Sequence, residues 1–136
     1  MNETELTETL DRRGELADAR GPGVYALEVA IPHHGEQIAR YWHRYHDHAP
    51  SDEFYTRLAD ADSVLYVGAA DPVYDRLCDH VAGDVRKAAF LEAFPPESLH
   101  SLWPKESADA AFANEFNVAN SLARVDRRVW TDGRLL

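Results

Sequence analysis

Apolar and polar positions recur with two different periods along this chain, and the switches between them mark its elements. Residues 3–19 set Leu6, Leu10, Leu16 and Ala17 among charged neighbours, an amphipathic helical pattern that Gly21-Pro22-Gly23 stops. From Val24 to Ile31 the period drops to two. Tyr25, Leu27, Val29 and Ile31 take one face and Val24, Ala26, Glu28 and Ala30 the other, a strand closed by Pro32. Helical spacing returns with Ile38, Tyr41, Trp42 and Tyr45 over residues 36–48, and Pro50 ends it. Ser51-Asp52-Glu53 then caps a short helix to about Asp60, with acids where the helix dipole favours them.

The second half repeats this alternation. Residues 63–67 read as a strand ended by Gly68, and Asp71-Pro72 supplies an N-cap and first position for a helix to about Ala82. Gly83-Asp84 restarts a helix over residues 85–94, stopped by Pro95-Pro96. A third strand spans residues 97–103 and is closed by Pro104; residues 107–124 form the longest helix. Residues 129–135 form a tail strand or a hairpin around Asp132-Gly133. The order, roughly α-β-α-α-β-α-α-β-α, predicts a small three-stranded α/β domain with helices packed on the sheet.

A length of 136 residues fits one domain, and 45% apolar with 28% charged residues is a globular composition. No apolar run reaches membrane-spanning length, and Met1-Asn2-Glu3-Thr4-Glu5 lacks the features of a secretory signal. A single cysteine, Cys78, excludes an internal disulfide framework and a multi-cysteine zinc site. The expectation is a soluble cytoplasmic protein with no membrane partner.

Charge alters the picture more. Twenty-four acids against fourteen bases leave a net charge of −10, which argues against a nucleic-acid partner. Yet Lys87 and Lys105 are the only lysines, and the other twelve bases are arginines. An acidic, lysine-poor chain of this kind looks like a protein of an extreme halophile. Molar salt shortens the Debye length to roughly 3 Å, so the acidity serves solubility and weakens the objection to DNA.

Four stretches carry candidate chemistry. Gly23-Val24-Tyr25 and Tyr66-Val67-Gly68 each put a tyrosine beside a glycine on a strand, where packing is the plainer explanation. Arg76 and His80 lie four apart, on one helix face, and could converge on one anion; the alternative is a solvated pair with Arg76 tied to Asp75 or Asp79. Glu115 interrupts an apolar stripe of Ala111, Val118 and Leu122. Either its carboxylate is paired or metal-bound on the inner face, or the helix is rotated and Phe112 and Phe116 carry the core.

Taken in order, these stretches resemble the GIY-YIG nuclease family, over roughly residues 21–124. Its two name-giving tripeptides correspond to Gly23-Val24-Tyr25 and Tyr66-Val67-Gly68, with valine at each middle position. Arg76 and His80 match the arginine and histidine of its next helix, and Glu115 its metal-holding glutamate. The resemblance implies a mainly antiparallel three-stranded sheet in a single domain over 1–136, with a helical insertion at about 33–62. The forty residues between Tyr25 and Tyr66 make that insertion, far more than is usual in the family.

It further implies a metal-dependent endonuclease that hydrolyses DNA phosphodiesters. Glu115 would hold Mg²⁺ or Mn²⁺, Arg76 would neutralise transition-state charge, and Tyr25, supported by Tyr66, would act on the attacking water. His80 would share the proton transfer or hold a phosphate oxygen. The alternative is a GIY-YIG-like domain without catalysis, serving as a nucleic-acid-binding or protein-interaction module. A separate possibility lies in the insertion, where His33, His34, His43, His46 and His48 crowd into sixteen residues. His43 and His46 are three apart, a spacing that can chelate a transition metal.

Overall fold

The computed structural model describes residues 1–61, 63–82, 88–125 and 127–136, and they form a mixed α/β structure. Helices α1 (Glu3–Arg12) and α2 (Leu16–Ala19) precede strand β1 (Gly23–Ala30). Helices α3 (Gly35–His43) and α4 (Phe54–Ala59) lead to β2 (Ser63–Ala70), and α5 (Val73–Ala82) and α6 (Ala89–Ala93) to β3 (Pro96–Pro104). The long α7 (Ala108–Ala123) is followed by β4 (Arg128–Thr131) and β5 (Arg134–Leu135).

The sheet order is β3-β1-β2-β4-β5. β1 runs antiparallel to both β2 and β3, whereas β4 lies parallel to β2 and turns back antiparallel into β5. The sheet therefore has five strands and mixed pairing, where the sequence predicts three. The tail adds two because Asp132-Gly133 closes a two-residue hairpin, both residues at positive φ (48° and 75°), the geometry that matches strand twist.

Other boundaries move for local reasons. The N-terminal helix breaks at Gly14 (φ 69°), where the Gly14 and Glu15 amides donate to the carbonyls of Asp11 and Leu10 in a Schellman end. β2 continues through Gly68 because that residue pairs with Tyr25 across the ladder. The Asp71–Pro72 peptide is cis and precedes α5 instead of forming its first turn; the Val73 amide donates to the Gly21 carbonyl. α3 stops at His43, short of the predicted 48. The predicted helix restart at Gly83-Asp84 lies outside the described residues.

The alternation read from β1 sorts the two faces. Tyr25, Leu27 and Val29 join a large core with Leu6, Leu10, Trp42, Phe54, Leu77 and Phe90 from the helices and Trp130 from β4. Val24 and Ala26 face the other way and meet Leu65, Val67, Val129 and Ala119. On that second face α7 is the covering helix, and its inward alanines, Ala111 and Ala119, allow a close approach. The insertion belongs to the main core: Trp42 lies 4.8 Å from Phe54 and 6.1 Å from Trp130, ring to ring, and Trp130 stacks on Phe90 at 4.6 Å.

Candidate active site

β4 pairs with β2 over Val64–Tyr66, leaving the far half of that β2 edge, residues 67–70, without a β4 partner. A pocket of about 270 Å³ occupies this gap. Its walls include Tyr25 and Tyr66 from one face of the sheet, Arg76 from α5, Glu115 from α7 and Asp132 from the hairpin turn, with Phe90 and Trp130 behind. The open edge is what lets side chains from opposite sheet faces share one space. A larger cleft of about 480 Å³ lies elsewhere, beside Asp60, Ser63 and Arg127. There Arg127 is bound to Glu28 at 3.1 Å, and the chemistry-bearing residues above do not line it.

Four of the five residues singled out from the sequence thus line one pocket. The fifth, His80, lies beneath it: it is 0% exposed, and its Nε2 is 2.7 Å from the Tyr25 hydroxyl. That burial corrects one expectation, since a side chain with no surface cannot grip a phosphate oxygen. Tyr25 is itself 1% exposed, stacked at 6.5 Å on Tyr66, whose ring lies edge-on to His80 at 5.3 Å.

The two glycines beside these tyrosines are required by the packing. A Cβ on Gly68 would fall 2.6 Å from Tyr25 Cζ and closer still to the hydroxyl, because the ring lies across its cross-strand partner. A Cβ on Gly23 would meet the Trp103 carbonyl at 2.9 Å. Gly68 therefore makes room for the buried Tyr25 ring, and Gly23 for the backbone of β3.

Electrostatics orders the network. Burial pushes the Tyr25 phenol well above its usual range, with Tyr66 and Glu115 adding to the shift; Arg76 opposes it by its charge and a hydrogen bond. Tyr66 is pushed up to about 12, mainly by burial. Both phenols hold their protons at neutral pH. Arg76 can only donate, so the Tyr25 hydroxyl accepts from Arg76; toward His80 Nε2 it donates when that imidazole carries its proton on Nδ1. Arg76 also lies 3.8 Å from Asp79, so it serves both the pocket and its own helix.

Glu115 resolves the alternative left open by the apolar stripe. Phe112 and Phe116 are 57% and 46% exposed, so they do not carry the core, and Ala111 and Ala119 do. The Glu115 carboxyl sits half-buried in line with those alanines. Burial, and secondarily the Asp132 carboxylate, raise its pKa. Asp132 was visible in the sequence only as a turn residue; its place at the pocket depends on β4 adding to the sheet edge.

The donor set suits a hard divalent cation. Glu115 and Asp132 offer carboxylate oxygens and the pocket contributes no thiolate or imidazole, a chemistry for Mg²⁺ or Mn²⁺ that retain most of their water. No group of three or more His, Cys, Asp or Glu side chains that could hold a metal occurs among the described residues. In the insertion, His43 donates to the His46 carbonyl at 3.0 Å and accepts from Tyr55 at 2.7 Å. His46 stacks on Trp42 at 4.0 Å and donates to the Ala89 carbonyl at 2.9 Å. These histidines tie the insertion together, which accounts for them without a metal. Among the described residues no helix is long and apolar enough to cross a membrane.

No protein-family model, curated protein or solved structure matches this chain.

Proposed function

We propose that the protein is a metal-dependent endonuclease of the GIY-YIG type that hydrolyses DNA phosphodiester bonds in the pocket at the β2 edge. The observation that carries this reading is the gathering of Tyr25, Tyr66, Arg76 and Glu115 around one space, with His80 bonded to Tyr25 from below. These residues come from two strands and two helices far apart in sequence, and packing alone does not call for an arginine and a carboxylate at the same gap.

Each part of the reaction has a residue suited to it. Arg76 offers a planar set of donors to a non-bridging phosphate oxygen and to the charge that grows there. Glu115, with Asp132 beside it, would hold the cation, whose contribution is to neutralise charge on the phosphate and leaving oxygen. Tyr66 keeps its proton and can donate a hydrogen bond into the pocket.

Tyr25 poses the harder question, because a phenol with a raised pKa is a poor base. The bond to His80 answers it. As water attacks phosphorus, Tyr25 takes the water proton while passing its own to His80 Nε2, so no free phenolate accumulates. A P–O bond forms to the water oxygen, the bridging P–O bond breaks, and the leaving oxygen takes a proton from solvent. One end leaves with the phosphate and the other with a hydroxyl.

The test is nicking of supercoiled plasmid with Mg²⁺ or Mn²⁺, at low and at molar salt. Cleavage should require the cation, stop with a chelator, and fall by about a hundredfold or more in Arg76→Ala and Glu115→Ala, the scale for removing a transition-state donor. A folded wild-type protein that cuts in no condition would overturn the enzyme and leave the non-catalytic binding module.

A further inference from the structure

α7 turns two phenylalanines outward. At 3.6 residues per turn, Phe112 and Phe116 lie about 60° and 100° round the helix from Glu115, on one side of it. Exposed phenylalanine is uncommon without a partner, and these two stand immediately beside the pocket: they flank Glu115 in the chain, and Arg134 of the hairpin lies 5.6 Å over the Phe116 ring.

Charge singles out the same region. Residues 108–136 hold four acids and four arginines, whereas residues 1–107 hold twenty acids and ten bases. The whole net charge of −10 therefore belongs to the rest of the chain; of those four arginines, Arg127 and Arg128 line the cleft beside Ser63, and Arg134 is the one that stands over a phenylalanine ring. Along α7, Asp109 and Glu115 are the only charged side chains.

We propose that Phe112 and Phe116 form a shelf on which unpaired bases stack, so that the substrate is DNA with a single-stranded segment at the scissile phosphate. This rests on the nuclease reading above and specifies its substrate. Stacking on exposed aromatics needs bases freed from a duplex, since only then is a base face open. The two rings are separated by about 6 Å along the helix, against a rise of about 3.4 Å per nucleotide along a duplex strand, so the shelf fits bases of a stretched strand. Arg134 sets a positive charge where its phosphates would pass, paired with Asp132 across 3.9 Å. A second copy of the chain is the poorer occupant. Two half-exposed rings offer on the order of 200 Å², far below the roughly 800 Å² per partner of a stable interface.

The experiment compares a fluorescein-labelled blunt duplex with the same duplex carrying an unpaired arm, by anisotropy with Ca²⁺ replacing Mg²⁺. It uses wild type, Phe112→Ala/Phe116→Ala and Phe112→Tyr/Phe116→Tyr, each checked by thermal melting. Wild type should bind the armed DNA about tenfold or more tighter, the alanine pair should lose that preference, and the tyrosine pair should keep it. Equal binding of both DNAs by wild type, or a preference surviving in the alanine pair, overturns the shelf. So does a dimer in sedimentation that the alanine pair converts to monomer. If plasmid nicking still depends on Glu115, the shelf fails alone; absence of both cleavage and nucleic-acid binding removes the nuclease reading with it.

Discussion

Gly68→Ala tests the tyrosine packing with a single methyl group. The new Cβ would lie 2.6 Å from Tyr25 Cζ, whereas carbon atoms settle at about 3.5–4.0 Å, so the ring must retreat by about 1 Å. It has little room, being buried against Tyr66 and His80. Overpacking of this kind costs about 1–3 kcal/mol. The retreat also stretches the 2.7 Å bond to His80, and weakening a buried hydrogen bond adds about 1 kcal/mol or more. For 136 residues, 1 kcal/mol corresponds to roughly 3.5 °C in Tm, so the variant should melt about 7–14 °C below wild type. A reacting group misplaced by about 1 Å also loses on the order of a hundredfold in rate. Gly35→Ala is the control: nothing lies within 4 Å of its added Cβ, and it opens α3, where alanine is the better helix former. Calorimetry on both variants, beside plasmid nicking, decides the matter. If Gly68→Ala melts with Gly35→Ala and cuts at the wild-type rate, the Tyr25 ring is not held where this argument requires.

Three further outcomes follow. Glu115→Gln should slow cleavage by about a hundredfold or more yet raise Tm at neutral pH, because it removes a carboxylate whose folded pKa is raised. That destabilisation is absent below the unfolded pKa, grows as pH rises towards the folded one and is full above it, so the Tm gain should shrink on acidification; melting curves from pH 4 to 8 (a range spanning the ~4.3 of a free glutamate) would show it. Trp130→Ala should cost about 3–5 kcal/mol and depress cleavage, since the ring backs the pocket and stacks on Phe90 at 4.6 Å; denaturant unfolding measures it. Equilibrium dialysis should find no stoichiometric zinc or nickel, with His43→Ala making no difference, because His43 spends both ring nitrogens within the protein.

How much of this was legible beforehand varies by residue and for physical reasons. The faces of β1 could be read from alternation, since period two reflects burial on a sheet directly. Tyr25, Tyr66, Arg76, His80 and Glu115 stood out as residue types and spacings, but that four of them share a gap at the sheet edge, with His80 beneath it, is a tertiary fact. The outward turn of Phe112 and Phe116 was hidden because two phenylalanines at i, i+4 look like core; the alanines at 111 and 119 were the quieter signal of a helix lying close to its sheet. Asp132 was hidden for another reason. Asp-Gly announces a hairpin turn, and nothing local says which sheet edge the hairpin will join or what its carboxylate will face.

The central claim is that Arg76 and Glu115 act on one phosphate as parts of one site, and a kinetic cycle tests it most directly. Single-turnover cleavage of an end-labelled oligonucleotide, in excess protein and Mn²⁺, would be measured for wild type, Arg76→Ala, Glu115→Gln and the double variant. Groups that work as a unit are strongly non-additive, so the double variant should be within a few-fold of the slower single variant. Losses that multiply in the double variant, or a single variant that cuts as fast as wild type, would contradict the shared site.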